Sequence, residues 1–291
     1  MKNIFKIALL CVGKWEDKYL DEFVKYYQNL GFTNIFFGDN NDINDNSQLN
    51  VLQKYIDTGF VKYFNYQGVL DIQHVFYDYI YFLEKDNYDW YFVCDIDEYL
   101  QLDNKYKTIN DFLNDKDYIN CDCIKFKWQT MITNDINYIY HYVDKPIQER
   151  FKIKYNITFG VKSLFKYSKY INRINMHVPI YNNDFTYNAI LADSLTPIKN
   201  NYKETLENIK GNNILLHYRF KSCDEYIDKL VKGNAWTNDK DYYFKRYTVT
   251  YFSSKLDKSS ELSNELKINI KNYLIKYFVK KLEELNIKYT L

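Results

Sequence analysis

The sequence predicts an α/β fold built on a mostly parallel central sheet, and two observations lead to this class. In the first hundred residues, short apolar segments alternate with longer segments whose apolar residues recur at helical spacing. The segment Trp90–Cys94 is aromatic and β-branched and carries no charge and no helical period, as expected of a central strand. Strands that alternate with helices in this way form right-handed βαβ units.

The elements of the first hundred residues follow from this pattern and from the glycines that separate them. The predicted strands are Ile7–Val12, Asn34–Phe37, Phe60–Phe64 and Trp90–Cys94. The predicted helices are Glu16–Leu30, Gln48–Asp57 and Asp71–Lys85. The first helix is the clearest, because Leu20, Phe23, Val24 and Tyr27 have the spacing i, i+3, i+4, i+7.

The pattern after residue 100 is less regular. Thr108–Leu113 indicates a short helix, Asp122–Gln129 a strand, and 213–219 a strand that ends in polar residues. Residues 130–215 contain all three prolines and many Asn-rich turns, which predict loops and short strands. Ser222 and Glu225 have the spacing of an N-terminal capping box and predict a further helix.

Composition limits the class of protein. The 291 residues, 46% of them hydrophobic, are enough for one large or two small domains. The 39 basic and 38 acidic residues leave no basic excess, which argues against a nucleic-acid partner. The five cysteines are odd in number and lack the usual spacing of zinc ligands, so we expect a reduced, cytoplasmic protein. The apolar run Ile4–Val12 is broken by Lys6 and predicts a strand rather than a signal peptide, and no other segment has the length and apolarity of a membrane span.

Two aspartates follow the strand Trp90–Cys94, where open α/β sheets bind ligands. On an extended segment, Asp95 and Asp97 would project to the same side. Two carboxylates there suit Mg²⁺ or Mn²⁺, and such an ion in turn holds a diphosphate. The alternative is an Asp-rich turn at a strand end that binds nothing.

Several separated motifs, in a fixed order, carry a resemblance to a known family. They are Cys11-Val-Gly-Lys14 with Glu16, Gly38-Asp39-Asn40-Asn41-Asp42, Gln73 with Tyr77, Asp95-x-Asp97-Glu98-Tyr99-Leu100, Glu149-Arg150-Phe151, Val161-Lys162-Ser163, Met176-His177 and His217-Tyr218-Arg219-x-Lys221-Ser222-x-x-Glu225. Over roughly residues 5–233 the chain resembles bacterial glycosyltransferases of the family 2-like type, and specifically glycosyltransferase family 92. It departs from that pattern at Trp15, where the family usually has Asn, and at Met176, where a proline often precedes the histidine.

The resemblance implies a GT-A fold and the transfer of a sugar from a nucleotide donor with Mn²⁺ or Mg²⁺. The metal would be held by Asp97, by Asp95 directly or through water or ribose, and by His217, for which a structural role in the core is the alternative. The residues implied at the nucleotide-sugar site are Glu16, Asp39, Asp42, Gln73, Asp95, Arg150, Arg219 and Lys221. Glu149 is the implied catalytic base, with Asp135 and Asp184 as rivals, and His177 and Trp128 would line the acceptor site.

The same resemblance implies one GT-A domain over 1–254. Its nucleotide-sugar half would be about 1–100 and its acceptor half about 101–254. A helical segment, 255–291, would follow, with its apolar face formed by Ile270, Leu274, Phe278 and Leu285. That face is expected either to dock on the domain or to contact an anionic membrane surface from the cytoplasmic side.

The expected activity is an inverting transfer to a glycan or lipid-linked acceptor in surface polysaccharide synthesis, such as lipopolysaccharide or capsule. A UDP-sugar is the expected donor, with UDP-galactose favoured by family analogy alone. One alternative is a sugar-nucleotidyltransferase, although Gly13-Lys14-Trp15 is a poor match to the Gly-rich loop of such enzymes. Another is a glycan-binding protein without activity on the same fold.

Overall fold

The computed structural model describes residues 2–155, 160–182, 184–198, 208–232 and 262–284. The chain divides into two compact units. Unit 1 comprises Met1–Gln129 and Asn156–His217, and unit 2 comprises Thr130–Tyr155 and Tyr218–Leu291. The domain boundary expected at 254 lies outside the described residues.

Unit 1 alternates strands and helices through its first hundred residues, as predicted. These elements are β1 (Ile7–Gly13), α1 (Asp17–Asn29), β2 (Asn34–Asp39), α2 (Ser47–Asp57), β3 (Val61–Asn65), α3 (Ile72–Leu83) and β4 (Trp90–Val93). The remaining elements of the unit are β5 (Glu98–Gln101), α4 (Ile109–Leu113), the first part of β6 (Cys123–Ile132), β8 (Val161–Lys166), β9 (Ile171–Ile174), β10 (Pro179–Tyr181), β11 (Ala189–Leu191) and β12 (Ile214–His217).

The central sheet has the strand order β3-β2-β1-β4-β8-β6-β12-β5. The first four strands are parallel, which confirms the predicted α/β class and its βαβ units. In the rest of the sheet, β8 is antiparallel to both β4 and β6 and β12 is antiparallel to β5, whereas β11 pairs in parallel with β6. The short strands between 130 and 215 confirm the irregular region, and β9 and β10 form a separate two-stranded sheet.

The helical periodicity of the sequence marks the faces that are buried. In α1 the buried residues are Tyr19, Leu20, Phe23, Val24 and Tyr27, which include the four that predicted the helix. The short helix α4 begins with a capping box in which Thr108 accepts from the backbone N–H of Asp111 and Asp111 accepts from that of Thr108. The five cysteines are free and buried, as expected of core residues.

Unit 2 contains the end of β6, which pairs with β7 (Ile153–Tyr155), and four helices within the described residues. These are α5 (Ile136–Ile139), α6 (Ile147–Arg150), α7 (Cys223–Lys232) and α8 (Asn264–Glu284). The capping box predicted at Ser222 is confirmed, because the Glu225 carboxylate accepts from the Ser222 N–H at 3.0 Å and Ser222 Oγ accepts from the Glu225 N–H at 3.3 Å.

The C-terminal helix α8 packs against α7 within unit 2. Ile270, Leu274 and Phe278 of the predicted apolar face are buried, while Leu285 and the segment 255–261 lie outside the described residues. At the edge of this contact, Tyr273 donates to Asp224 of α7 at 2.9 Å. None of the helices in the described part of the chain is both long and apolar enough to cross a membrane.

Candidate functional site

The strand order of unit 1 reverses between β1 and β4, because β2 and β3 lie on one side of β1 and β4 lies on the other. In open α/β sheets, ligands bind outside the carboxyl ends of the strands at such a reversal. The residues that leave β1 begin at Lys14, and those that leave β4 include Asp95 and Asp97. The candidate site therefore lies at this edge of unit 1.

The segment after β4 is a turn and not the extended strand end that was expected. The Glu98 N–H donates to the Asp95 carbonyl at 3.0 Å, and the Asp95 N–H donates to the Glu98 carboxylate at 2.9 Å. This turn links β4 to β5. Asp95 and Asp97 consequently have different partners.

Asp97 lies against His217. Its Oδ1 is 3.5 Å from His217 Nε2, and both side chains are about nine-tenths buried. His217 comes last in β12, which pairs antiparallel with β5 so that His217 is opposite Glu98. The strand pairing therefore brings together two predicted metal ligands that are 120 positions apart in the sequence.

Asp95 is held by an amide and an ammonium group. Gln73 of α3 donates to its Oδ1 at 3.2 Å, and Lys162 of β8 lies 2.9 Å from its Oδ2. The Asp95 side chain is 36% exposed and so is accessible to a ligand, whereas the Lys162 side chain is 1% exposed. Gln73 also donates to Tyr77, which fixes the orientation of its amide.

A third carboxyl group, that of Glu98, is buried beneath this turn, with its Oε2 3.6 Å from Lys162 Nζ. Burial raises the pKa of Glu98, and the charge of Lys162 opposes this change. Burial by itself would lower the pKa of Lys162, but the charges of Asp95 and Glu98 raise it, so Lys162 is protonated. The site therefore contains a permanent cation among its carboxylates.

The two predicted acceptor residues of unit 1 lie beside His217. The Trp128 ring is 4.6 Å from the His217 ring and 5.3 Å from the His177 ring, centroid to centroid. A Cβ atom on Gly160 would be 2.6 Å from the Trp128 ring, so this glycine permits the position of the indole. The indole Nε1 is buried and has no hydrogen-bond partner in the described part of the chain.

His177 is a neutral side chain. Burial, followed by the charge of Lys162, lowers its pKa to about 4. Its Nδ1 lies 3.0 Å from the Val161 carbonyl, which can only accept, so Nδ1 carries the proton. Its Nε2 is then the ring nitrogen that is able to accept a hydrogen bond.

At the ends of β1 and β2, the predicted nucleoside residues form a network of hydrogen bonds. Asp39 is fully buried and accepts from Gln48 and Tyr63, both at 2.6 Å. Gln48 in turn donates to the Gly13 carbonyl and accepts from the Glu16 N–H, which ties the end of β1 to that of β2. The Asp39 carboxylate thus has a structural role, and a nucleoside would compete with these donors for it.

Asp42 and Trp15 are the accessible members of this region. Trp15 Nε1 donates to Asp42 at 3.1 Å, and the Trp15 N–H donates to Asn41 Oδ1 at 2.7 Å. Trp15 has a φ of 51°, a left-handed conformation that costs energy for a bulky residue. Glu16, next in the chain, is the N-cap of α1 without a side-chain capping bond.

The other predicted site residues lie in unit 2, except Asp184, which is an exposed turn residue of unit 1. Glu149 is exposed on α6, and Asp135 accepts from the Asn137 N–H as the N-cap of α5. Arg150 is buried and pairs with Glu225 through two hydrogen bonds of 2.7 and 3.1 Å.

Arg219 and Lys221 follow β12 in unit 2, and both are partly buried. Lys221 has a φ of 51° at the residue before the capping box of α7. Its charge is one of the causes that lower the pKa of Glu225. Both cations remain predicted phosphate ligands.

The donor set of unit 1 suits a divalent cation that the substrate helps to hold. Within the described residues, no three or more His, Cys, Asp or Glu side chains are arranged to hold a metal ion. Asp97 and His217 form a close pair, while the Asp95 carboxylate forms a salt bridge with Lys162 and accepts a hydrogen bond from Gln73. Mg²⁺ is usually bound by one or two carboxylates together with substrate phosphates, and an Asp–His pair fits this pattern.

No role at the site was predicted for Lys162 from the sequence, although the motif Val161-Lys162-Ser163 contributed to the resemblance. The sequence does contain one signal for this residue, which is a lysine in an apolar segment with Val161 and Leu164. Lysines are almost never fully buried without a partner, so a lysine in such a segment indicates a buried ion pair. Its partner was not predictable, because β8 and β4 are separated by 67 residues.

No protein-family model matches the sequence, and a comparison with curated proteins finds no relative. Two solved structures of S. aureus TarS 1-349 are similar to this chain. The first covers 96% of this chain and 73% of the TarS chain, at 9% identity and a TM-score of 0.37. The second, in complex with UDP-GlcNAc, covers 97% and 76%, at 12% identity and a TM-score of 0.35. With TM-scores of this size, the function has to be argued from the geometry of this chain.

Proposed function

We propose that the protein is a metal-dependent glycosyltransferase of the GT-A type, related to family 92, that transfers a sugar from a nucleotide donor to a glycan or lipid-linked acceptor. UDP is the nucleotide proposed, with inversion at the sugar carbon and UDP-galactose as the first sugar to test. The observation that carries the proposal is the pairing of Asp97 with His217 beside Asp95, at the reversal of strand order.

In this proposal the ends of β1 and β2 bind the nucleoside and the turn after β4 binds the diphosphate. Asp42 and Glu16 would accept from ribose hydroxyls or a base N–H. Asp97 and His217 would hold the divalent cation, which supplies Lewis-acid stabilisation of the charge on the departing diphosphate. Lys162 orients the Asp95 carboxylate beside this pair.

Inverting transfer needs a base within hydrogen-bond reach of the acceptor hydroxyl. Glu149 remains the proposed base, and its side chain is exposed. The rival Asp135 is engaged as a helix cap, which makes it the weaker candidate. Trp128 and His177 would form one wall of the acceptor site, the indole as an apolar face and His177 Nε2 as an acceptor.

A thermal-shift screen tests the donor class and the metal together. UDP, GDP, CDP and dTDP are each added with Mn²⁺, Mg²⁺ or EDTA, because a ligand that binds only the folded state raises the melting temperature. We expect UDP with Mn²⁺ or Mg²⁺ to stabilise the protein and EDTA to abolish the shift. Incubation with UDP-galactose and Mn²⁺ should then release UDP.

Two outcomes of this screen would count against the proposal. Stabilisation by a nucleotide that EDTA leaves unchanged would contradict the metal role of Asp97 and His217. The absence of a shift with every combination would favour a glycan-binding protein on the same fold. A separate assay tests the remaining alternative. Formation of pyrophosphate from a sugar phosphate and a nucleoside triphosphate would identify a nucleotidyltransferase.

A further inference from the structure

Lys162 reaches the site because of the register between β8 and β4. These strands are antiparallel, with Phe92 opposite Leu164. Two residues further along the same direction, Lys162 follows this register toward the segment that leaves β4, and its ammonium group lies 2.9 Å from Asp95. The register therefore delivers an ammonium group to the base of the turn that carries the predicted metal ligands.

The burial of Lys162 makes this arrangement costly to break. An ammonium group that loses its water is tolerated only when it is paired and hydrogen-bonded. Lys162 lies 2.9 Å from Asp95 and 3.6 Å from Glu98. Its side chain is 1% exposed, so in this position the ammonium group has almost no contact with solvent.

We infer that Lys162 is a positioning residue that occupies Asp95 and offsets the negative charge of the site, so that a divalent cation binds weakly until a nucleoside diphosphate arrives with it. The inference rests on the proposed function for its nucleotide. It adds an order of events, in which cation and diphosphate bind together rather than the cation first.

Two physical reasons lead to this order. A fixed positive charge beside Asp95 repels a second cation, and the repulsion is strong where water is excluded. With Asp95 occupied, Asp97 and His217 supply only two of the about six ligands of Mg²⁺ or Mn²⁺, so weakly held water would have to supply the rest. A diphosphate supplies both the missing oxygens and the negative charge that favours the cation.

The test is Mn²⁺ binding to the full chain, measured from the electron paramagnetic resonance signal of free Mn²⁺, with and without UDP. For the wild-type protein, UDP should tighten Mn²⁺ binding by at least about tenfold, or about 1.4 kcal/mol. Lys162→Met removes the charge and keeps the length of the side chain. This variant should bind Mn²⁺ about tenfold more tightly without UDP, because Asp95 becomes available as a ligand.

A double variant and a matched control make this result specific. Lys162→Met combined with Asp95→Asn should lose the tighter binding, since the effect acts through Asp95. Lys166→Met removes a lysine from the other end of the same strand, where its ammonium group bonds to the Ile119 carbonyl, and should leave Mn²⁺ binding unchanged. Unchanged or weaker Mn²⁺ binding by folded Lys162→Met would overturn the inference.

If Lys162→Met does not fold, two single variants still decide the question. Asp97→Asn should lose most Mn²⁺ affinity in the presence of UDP, whereas Asp95→Asn should lose much less, because Asp95 is held by Lys162. Equal losses would contradict the inference, as would the absence of Mn²⁺ binding with and without UDP. Failure of UDP to bind even in the presence of Mn²⁺ or Mg²⁺ would contradict the proposed function, while the comparison of Mn²⁺ affinities without UDP would still measure the effect of Lys162.

Discussion

Asp97 Oδ1 and His217 Nε2 lie 3.5 Å apart, although the two residues are 120 positions apart in the sequence. The pairing of β12 with β5 is the cause, because it places His217 opposite Glu98, the residue after Asp97. A carboxylate and an imidazole at this distance are able to share one cation. This contact is the basis of the first prediction.

Asp97→Asn should abolish the stabilisation by UDP that depends on the metal. The substitution keeps the size of the side chain and removes its charge, so the loss of Mn²⁺-dependent melting-temperature shift should exceed any loss of basal stability. Asp86→Asn is a suitable control, because Asp86 is an exposed residue just before β4, away from the turn. A full metal-dependent shift in Asp97→Asn would show that the cation is held elsewhere.

Glu149→Gln should lower the rate of transfer by about 10²–10⁴-fold, the usual contribution of a general base. The shift in melting temperature caused by UDP should not change, because the proposed role is toward the acceptor. The measurement is the rate of UDP release from the donor identified in the nucleotide screen. Asp144→Asn, an exposed acid of the same unit, is the matched control. Weaker nucleotide binding in Glu149→Gln would mean that Glu149 is not the base.

The buried pair Arg150–Glu225 should make a large contribution to stability. Replacing Arg150 by Met leaves the Glu225 carboxylate buried without its cation, at a cost of about 3–5 kcal/mol. Urea unfolding measures this cost, and Lys152→Met is the control at a neighbouring exposed cation. Should Arg150→Met instead leave stability unchanged and weaken UDP binding, the sequence-based assignment of Arg150 to the nucleotide site would be supported.

The pair Arg150–Glu225 should also make the free energy of unfolding depend on pH. Burial would raise the pKa of Glu225, but hydrogen bonds and charge from Arg150 lower it to about 2, below the ordinary value of 4.5. The folded-state pKa is depressed, so this contribution is complete above pH 4.5 and is lost as the pH falls toward 2. Unfolding measured between pH 5 and 3 should show a steeper loss of stability in the wild-type protein than in Glu225→Gln.

His177 should remain neutral at the pH values where the protein works. Its pKa of about 4 lies below the ordinary value of 6.5, because of burial and of the charge of Lys162. The unfolded chain therefore binds a proton that the folded chain does not, and stability falls as the pH drops from 6.5 toward 4, by up to about 3 kcal/mol. Carbon-13 shifts of the imidazole measure the titration. A midpoint near 6.5 would contradict the buried, neutral state.

Much of the architecture was predictable, because it depends on local patterns. The apolar residues of α1 at i, i+3, i+4, i+7 and the capping box at Ser222 both reflect interactions within one or two turns. The alternation of strands and helices also predicted the parallel part of the sheet. The form of the segment after β4 was predicted wrongly, since it is a turn, and its geometry depends on β5 pairing with the distant β12.

The candidate site shows where local patterns stop being informative. The sequence predicted Asp95, Asp97 and His217 as site residues. It did not predict the partner of Asp95, which is Lys162 on an antiparallel strand 67 residues away. The sequence left Arg150 to orient a phosphate or the base or to pair with a structural acid, and its guanidinium group pairs with Glu225 of α7. In each case the partner is set by strand register or helix packing.

The sequence by itself determined the α/β class, the order of the first elements and the place where carboxylates leave the sheet, because hydrophobic periodicity and caps act over a few residues. Only the tertiary structure decided which charges meet. Strand pairing brings His217 to Asp97 and Lys162 to Asp95. The free energy of a buried charge depends on its neighbours in space, and these are not encoded by spacing along the chain.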